Sequence, residues 1–91
     1  MGSPRIHRIP LANPAVEYDQ RIIGAQKITV QLEGNNPLRI SYTRGGTAND
    51  YITIKAGYVY WDDEIDYYPA LTIYLRAPTA GNQVAEILVW P

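Results

Sequence analysis

Two segments of alternating apolar and polar residues, rich in tyrosine and tryptophan, restrict the possible folds of this chain most strongly. They run from Tyr51 to Trp61 and from Leu71 to Trp90, with Gly and Pro residues between and around them. Successive side chains of a β-strand point to opposite faces of a sheet, so a period of two residues predicts half-buried strands. Residues 26–33 and 38–43 alternate in the same way. No stretch of ten residues has helical periodicity, and the sequence therefore predicts an all-β domain.

The spacing of these signals predicts six or seven short strands, arranged as an antiparallel β-sandwich or a jelly-roll-like barrel. Residues 34–37, Gly-Asn-Asn-Pro, are typical of a turn, and we expect residues 26–33 and 38–43 to pair across it as an antiparallel hairpin. In the last run, residues 84–90 are apolar on both faces except at Glu86. That pattern indicates a central strand or one covered by another chain.

The N-terminal residues follow a different pattern. Pro4, Pro10 and Pro14 recur at short intervals, and each proline fixes its own φ and favours an extended residue before it. We therefore predict an extended N-terminal arm over residues 1–19 and a β-sandwich domain over residues 20–91. A disordered tail would carry fewer aliphatic side chains, so this arm is expected to lie on its own sheet or across a neighbouring subunit.

Composition narrows the class of protein. A chain of 91 residues forms one domain with a thin core, and without cysteine no disulfide or thiolate metal site supports it. Partner subunits are the usual remaining support.

The net charge of −1 argues against nucleic-acid binding. No apolar run approaches the roughly 20 residues of a membrane span, and the N-terminus lacks the apolar core of a signal peptide. We expect synthesis in the cytoplasm and no membrane contact.

Side chains that could perform catalysis or hold a cofactor are sparse. His7 is the only histidine, and neither Ser3 nor Ser41 lies in a G-x-S-x-G nucleophile motif. The segment RGGTAN lacks the consecutive Lys-Ser/Thr pair of a phosphate-binding loop, and no predicted helix follows it. We therefore predict that the protein is not an enzyme and uses no cofactor.

The only concentrated charge is an acidic run formed by Asp62, Asp63, Glu64 and Asp66. Ca²⁺ prefers several oxygen ligands, so these four carboxylates are a candidate for a calcium site. The run lacks the glycine and the closing glutamate of an EF-hand loop. The preferred interpretation is a loop that faces solvent or a neighbouring subunit.

The string YITIKAGYVYWDDEID, followed by LTIYLRAPTAGNQVAEILVW, resembles a family of small structural proteins that tailed bacteriophages encode near their head genes. The shared elements are an A-G turn, an aromatic–acid stretch, a T-L-Y-L-type strand, a T-A-G turn and a V-A-E-I strand that ends in Trp. They cover residues 26–90. The resemblance implies a head decoration, or cement, protein that is β-rich, often trimeric and equipped with an extended arm. It also implies a place in the virion and the major capsid protein or other virion proteins as partners.

Under this resemblance, aliphatic side chains of the arm anchor the protein to a neighbour, and aromatic side chains supply contacts on a sheet face or between subunits. The aliphatic residues are Ile6, Ile9, Leu11 and Val16, and the aromatic residues are Tyr58, Tyr60, Tyr67, Tyr68 and Trp90. Tyrosine and tryptophan suit such contacts because each combines a flat apolar body with one polar group.

Two other functions stay open at this point. The protein could be a tail, neck or fibre accessory of the virion, which the sequence does not distinguish from a head protein. It could also be a small carbohydrate-binding β-module, with Trp61, Tyr67 and Tyr68 as a stacking platform and the acidic run holding Ca²⁺.

Overall fold

The alternating segments form β-strands in a computed structural model that describes residues 4–63, 70–79 and 81–91. The strands are β1 Arg5–Leu11, β2 Tyr18–Ile23, β3 Lys27–Glu33, β4 Leu38–Ser41, β5 Ile52–Ile54, β6 Tyr60–Asp62, β7 Ala70–Arg76 and β8 Gln83–Trp90. A single 3₁₀ turn, Gly46–Ala48, lies between β4 and β5. Within the described residues, no helix has the length and apolar character needed to cross a membrane.

The strands form two four-stranded antiparallel sheets. Sheet A has the order β1-β8-β3-β6, and sheet B has the order β2-β7-β4-β5. Four of the pairs are nested, since β1 pairs with β8, β2 with β7, β3 with β6 and β4 with β5. A chain paired in this way is one long hairpin wrapped into two sheets, which is the jelly-roll topology. The predicted fold class, an all-β antiparallel sandwich or jelly-roll-like barrel, is confirmed as a sandwich whose strands follow the jelly-roll order.

The core lies between the sheets and is built from alternate residues of each strand. Sheet A contributes fully buried side chains from β3 and β8, and sheet B contributes them mainly from β4 and β7. The most deeply buried large residues are Leu11, Ile22, Ile28, Val30, Leu38, Ile40, Ile73, Leu75, Ile87 and Val89. Each such aliphatic side chain stabilises the fold by about 1.5–3 kcal/mol relative to exposure in water.

The predicted hairpin between residues 26–33 and 38–43 is wrong. β3 pairs with β8 and β6 in sheet A, whereas β4 pairs with β7 and β5 in sheet B. The turn between them therefore carries the chain from one sheet to the other, and Gly34 has the positive φ of 111° that this change of direction uses. Alternation indicates which face of a strand is buried, but it does not indicate which strand lies beside it.

The N-terminal segment is extended, and of the two expected positions it takes the one on its own sheet. Its residues from Arg5 to Leu11 form the edge strand β1, paired along its whole length with β8 of the same chain. The boundary predicted between residues 19 and 20 falls inside β2. Pro10 is compatible with β1 because an edge strand can do without one backbone donor.

The assignment of Ile9 and Leu11 as anchors to a neighbouring subunit needs correction. Their exposed fractions are 8% and 1%, and both side chains belong to the core cluster between the sheets. Ile6 has the opposite orientation, with 68% of its surface exposed. Since side chains of one strand alternate between faces, the aliphatic residues of β1 divide into an outward and an inward set.

Candidate functional site

The outer face of sheet A carries a row of side chains that crosses all four strands. Ile6 of β1 lies opposite Leu88 of β8, Leu88 lies opposite Thr29 of β3, and Thr29 lies opposite Trp61 of β6. These residues point away from the core because their neighbours along β3 and β8 are fully buried. Trp61 is 59% exposed, so the row ends in a large apolar side chain on the surface.

A second tryptophan lies beside this row and shares a cation with the first. Trp90 is directly opposite Lys27 in the β3–β8 ladder. The Lys27 Nζ lies 5.7 Å from the ring centroid of Trp90 and 6.0 Å from that of Trp61. Each cation–π contact of this kind is worth about 0.5–1 kcal/mol at an exposed site. The ammonium group therefore helps to hold both indole rings in place before any partner binds.

These residues form one surface, which we call the tryptophan face: Ile6, Lys27, Thr29, Trp61, Leu88 and Trp90. It is an exposed apolar area on a regular sheet rather than on a loop. Side chains carried by paired strands lose little conformational freedom when a partner covers them, so such a surface is prepared for binding.

A polar network borders the tryptophan face on the same side of sheet A. Arg8 donates to the Glu86 carboxylate and, from Nη2, to Glu33 Oε2 at 2.6 Å. Gln31 Nε2 donates to Glu86 Oε1 at 2.8 Å. The hydrogen bond and negative charge of Glu33, together with Glu86, raise the pKa of Arg8. We call these four residues the arginine network. Arg8 and Glu33 are exposed, so their ion pair adds little to stability, and the network serves as a polar rim.

The other predicted contact residues are distributed over the molecule. Val16 is exposed in the connection between β1 and β2, and Tyr58 is exposed in the connection between β5 and β6. Tyr60 is half-buried, with its hydroxyl 3.2 Å from the Tyr42 hydroxyl. Tyr67 and Tyr68 lie outside the described residues. Of the described members of the predicted contact set, the structure brings Ile6 and Trp90 together on one face.

Sequence reasoning did not assign Lys27, Thr29 or Leu88 to a contact surface, and it placed Trp61 in a different platform. The alternation of β3 did place Lys27 and Thr29 on the face opposite its buried residues. The missing information was the register between β3, β6 and β8, which brings residues 27, 61 and 90 together. Register between distant strands depends on the whole fold, and no local pattern reports it.

Only part of the acidic run falls within the described residues. Asp62 ends β6, where its Oδ2 accepts a hydrogen bond from the Tyr42 hydroxyl at 3.2 Å, and Asp63 is exposed. Burial, with the Tyr60 and Asp62 contacts, raises the pKa of Tyr42. Glu64 and Asp66 lie outside the described residues. In the described ranges no three His, Cys, Asp or Glu side chains are grouped as a metal site would require, so the calcium site stays a prediction.

Comparisons with known proteins give no family for this chain. No protein-family model matches it, and searches of curated proteins and of solved structures found no significant match. The proposed function therefore depends on the tryptophan face, on the topology and on the resemblance carried by residues 26–90.

Proposed function

We propose that this protein is a viral structural protein, a decoration (cement) protein that binds and stabilises the head of a tailed bacteriophage by protein–protein contacts. The resemblance of residues 26–90 supports the class of protein. The observation that carries the contact mechanism is the pair Trp61 and Trp90 around Lys27 on an exposed sheet face. Attachment of this kind requires a buried interface and no reactive group.

The chemistry of the tryptophan face supports adhesion to another protein. Tryptophan is enriched among the interface residues that contribute most to binding, and such residues are usually surrounded by polar contacts that exclude water. Here the arginine network occupies the adjoining part of the same sheet face. An exposed apolar patch with a polar rim is typical of a protein-interaction surface.

The proposed partners are the major capsid protein or other virion proteins, and the proposed state is a homo-oligomer, with a trimer as the form that the resemblance favours. In a symmetric oligomer each tryptophan face is presented several times. Linked weak contacts then act together, and their combined affinity exceeds that of each contact by orders of magnitude.

A tail, neck or fibre accessory is the nearest alternative, because it would use the same kind of surface. The number of copies per particle distinguishes the two. A head decoration protein covers the whole shell and is present in roughly hundreds of copies per particle. A neck or tail component follows a local symmetry axis and is present in about a dozen copies or fewer. Quantitative mass spectrometry of purified particles measures this number directly.

A carbohydrate-binding module is the second candidate, and one observation favours it. Trp61 and Trp90 lie on either side of one lysine on a sheet of a jelly roll, a fold that lectin domains share. Two exposed indole rings on a flat face can also stack on sugar rings. The predicted platform of Trp61, Tyr67 and Tyr68 would in that case be replaced by Trp61 and Trp90.

The proposal is tested by binding of Trp61→Ala to phage heads assembled without this protein, measured by co-sedimentation. Loss of a tryptophan that contributes strongly to binding typically costs about 2 kcal/mol or more, so the expected affinity loss is about 30-fold or greater. Tyr51→Ala is the matched control, since Tyr51 is also an exposed aromatic residue beside a cation, Arg39, but lies off the tryptophan face. We expect it to bind heads like the unmodified protein.

Three outcomes would count against this assignment. If Tyr51→Ala weakens binding and Trp61→Ala does not, the contact surface lies on sheet B, beside β5. If the unmodified protein does not bind heads at all, the decoration role is wrong. If it binds a glycan array and loses that binding in Trp61→Ala, the carbohydrate-binding alternative replaces it.

A further inference from the structure

Two tyrosine hydroxyls meet across the two sheets of the sandwich. Tyr42 directly follows β4 of sheet B, and Tyr60 is the first residue of β6, an edge of sheet A. Tyr60 lies opposite the buried Val30 and packs against the core, so its ring is directed inwards from sheet A. The two hydroxyl oxygens lie 3.2 Å apart. This contact therefore connects the sheets through side chains alone.

A carboxylate lies beside this pair of phenols. The Tyr42 hydroxyl has one proton, which it donates to Asp62 Oδ2 at 3.2 Å. Its oxygen then accepts the hydroxyl proton of Tyr60. The three side chains form a relay in which Tyr60 donates to Tyr42 and Tyr42 donates to Asp62. Burial, together with these contacts, raises the pKa of Tyr42, so the phenol is protonated at neutral pH and the carboxylate is the base in contact with it.

A relay of this kind assists the one-electron oxidation of tyrosine. A phenol that loses an electron also loses its hydroxyl proton, and a base within hydrogen-bond distance accepts that proton as the electron leaves. Tyr42 is 42% exposed, so an oxidant in solution can reach its ring. Tyr60 can pass its proton to the oxygen of Tyr42, and the second ring is therefore oxidised by the same route.

We infer that Tyr42 and Tyr60 are a site of oxidative cross-linking, at which a haem peroxidase with hydrogen peroxide joins the two rings as dityrosine. Each phenol loses one electron and one proton and becomes a phenoxyl radical. The radicals combine through a carbon–carbon bond between the ring positions next to the hydroxyl groups. The hydrogen atom on each of these carbons then moves to the oxygen, which restores both phenols. The two electrons and two protons that leave convert one hydrogen peroxide into two waters.

The cross-link supplies a covalent connection between the sheets, which this chain without cysteine cannot obtain from a disulfide. Positions 42 and 60 are separated by 18 residues. A covalent loop of this size stabilises a fold mainly by restricting the unfolded chain. An effect like that of a disulfide corresponds to a rise in the unfolding midpoint of about 10 °C or more. The site lies off the tryptophan face, so this inference does not depend on the proposed attachment to heads.

The test is oxidation of the full chain, in dilute solution, by a haem peroxidase with hydrogen peroxide. The expected product is a monomer with dityrosine fluorescence, a mass lower by two hydrogen atoms and the higher unfolding midpoint. Trypsin should release residues 40–44 joined to residues 56–76, and fragmentation should place the bond between Tyr42 and Tyr60. Tyr42→Phe should abolish this product. Asp62→Asn removes the proton acceptor, so the rate of cross-linking should fall about tenfold or more.

Tyr58→Phe is the matched control, because Tyr58 is more exposed than Tyr42 and lies in the same tryptic peptide as Tyr60. It should leave the cross-linked monomer unchanged. The inference is overturned if every cross-linked product is a dimer or larger, or if the bond within the monomer is lost in Tyr58→Phe and kept in Tyr42→Phe. It is also overturned if Asp62→Asn reacts as fast as the unsubstituted chain. Circular dichroism before oxidation confirms that each variant is folded.

Discussion

Glu17 joins two connections that are distant in the sequence. Its carboxylate accepts hydrogen bonds from the backbone nitrogens of Gly45 at 2.8 Å and Thr47 at 3.1 Å, and from Thr47 Oγ1 at 2.5 Å. Burial by itself would raise the pKa of Glu17. The hydrogen bonds from Thr47 and Gly45, with the positive charge of Arg76, outweigh this effect and lower the pKa. The connection between β4 and β5 is thus tied to the start of β2.

We expect Glu17→Gln to lower the free energy of unfolding by about 1–2 kcal/mol at neutral pH, because an amide replaces a charged acceptor of three hydrogen bonds. The folded-state pKa lies below the unfolded value of about 4.3. The contribution of Glu17 is therefore fully present above that value and is lost as the pH falls through the folded-state pKa. Urea unfolding at a series of pH values measures the difference between the two proteins.

Glu33→Gln is the control for this prediction, because Glu33 is an exposed carboxylate whose ion pair with Arg8 is open to solvent. Glu33→Gln should lower the free energy of unfolding by less than about 1 kcal/mol, which is the usual contribution of a surface ion pair. If Glu17→Gln lowers the free energy of unfolding by the same amount at neutral and at acidic pH, the ionised carboxylate does not have the role assigned to it.

At the scale of single elements, β1 decides whether the N-terminal segment is an appendage or part of the fold. A free arm could be removed without unfolding the sandwich. β1 instead pairs along its length with β8 and places Ile9 and Leu11 in the core. Those two side chains connect the N-terminal segment to the hydrophobic interior, whereas Ile6 connects it to the tryptophan face.

Deletion of residues 1–11 is therefore expected to unfold the protein or leave it aggregating. Loss of a buried aliphatic side chain costs about 2–5 kcal/mol, and two are lost here. A domain has a total stability of about 5–15 kcal/mol, so little would remain. Thermal unfolding followed by circular dichroism tests this. Deletion of residues 1–3 is the control, since it leaves β1 complete and should preserve the midpoint temperature of unfolding. If deletion of residues 1–11 also leaves this temperature unchanged, β1 is not required for folding.

The element scale also shows why an arm was predicted in place of a strand. Three prolines in the first fourteen residues predict an extended segment, and residues 5–11 are extended as the edge strand β1. The alternation of β1 is also interrupted at its start, where apolar Ile6 lies on the outer face and polar His7 on the inner one, so β1 lacks the regular pattern of β3. Only the presence of β8 beside it makes these residues a strand.

At the scale of the whole molecule, the nested pairing makes most contacts non-local. β1 near the N-terminus pairs with β8 at the C-terminus, and β2 pairs with β7. The two ends of the chain must therefore meet before sheet A is complete. Fold topology of this kind is shared by viral capsid, lectin and cupin domains, so it does not by itself decide between the proposed functions.

Folding of the whole chain is expected to be slow for its size, on the order of milliseconds to seconds, because loop closure must precede the long-range pairs. Trp61 and Trp90 provide an intrinsic fluorescence signal for stopped-flow refolding. Removal of residues 83–90 takes away β8, the strand between β1 and β3. The shortened chain should show no cooperative folding transition. Refolding within microseconds, or a cooperative transition without β8, would contradict the nested topology.

The amino-acid sequence by itself determined the class of secondary structure, the position of most strands and the buried face of each, because period-two alternation is a local property that every strand carries. It also indicated that residues 83–90 form an interior strand. The tertiary structure alone decided that β3 and β4 belong to different sheets, that Ile9 and Leu11 are core, and that Lys27, Trp61 and Trp90 share one surface. These features depend on which distant strands become neighbours, and that choice is made by the packing of two complete sheets rather than by any short segment.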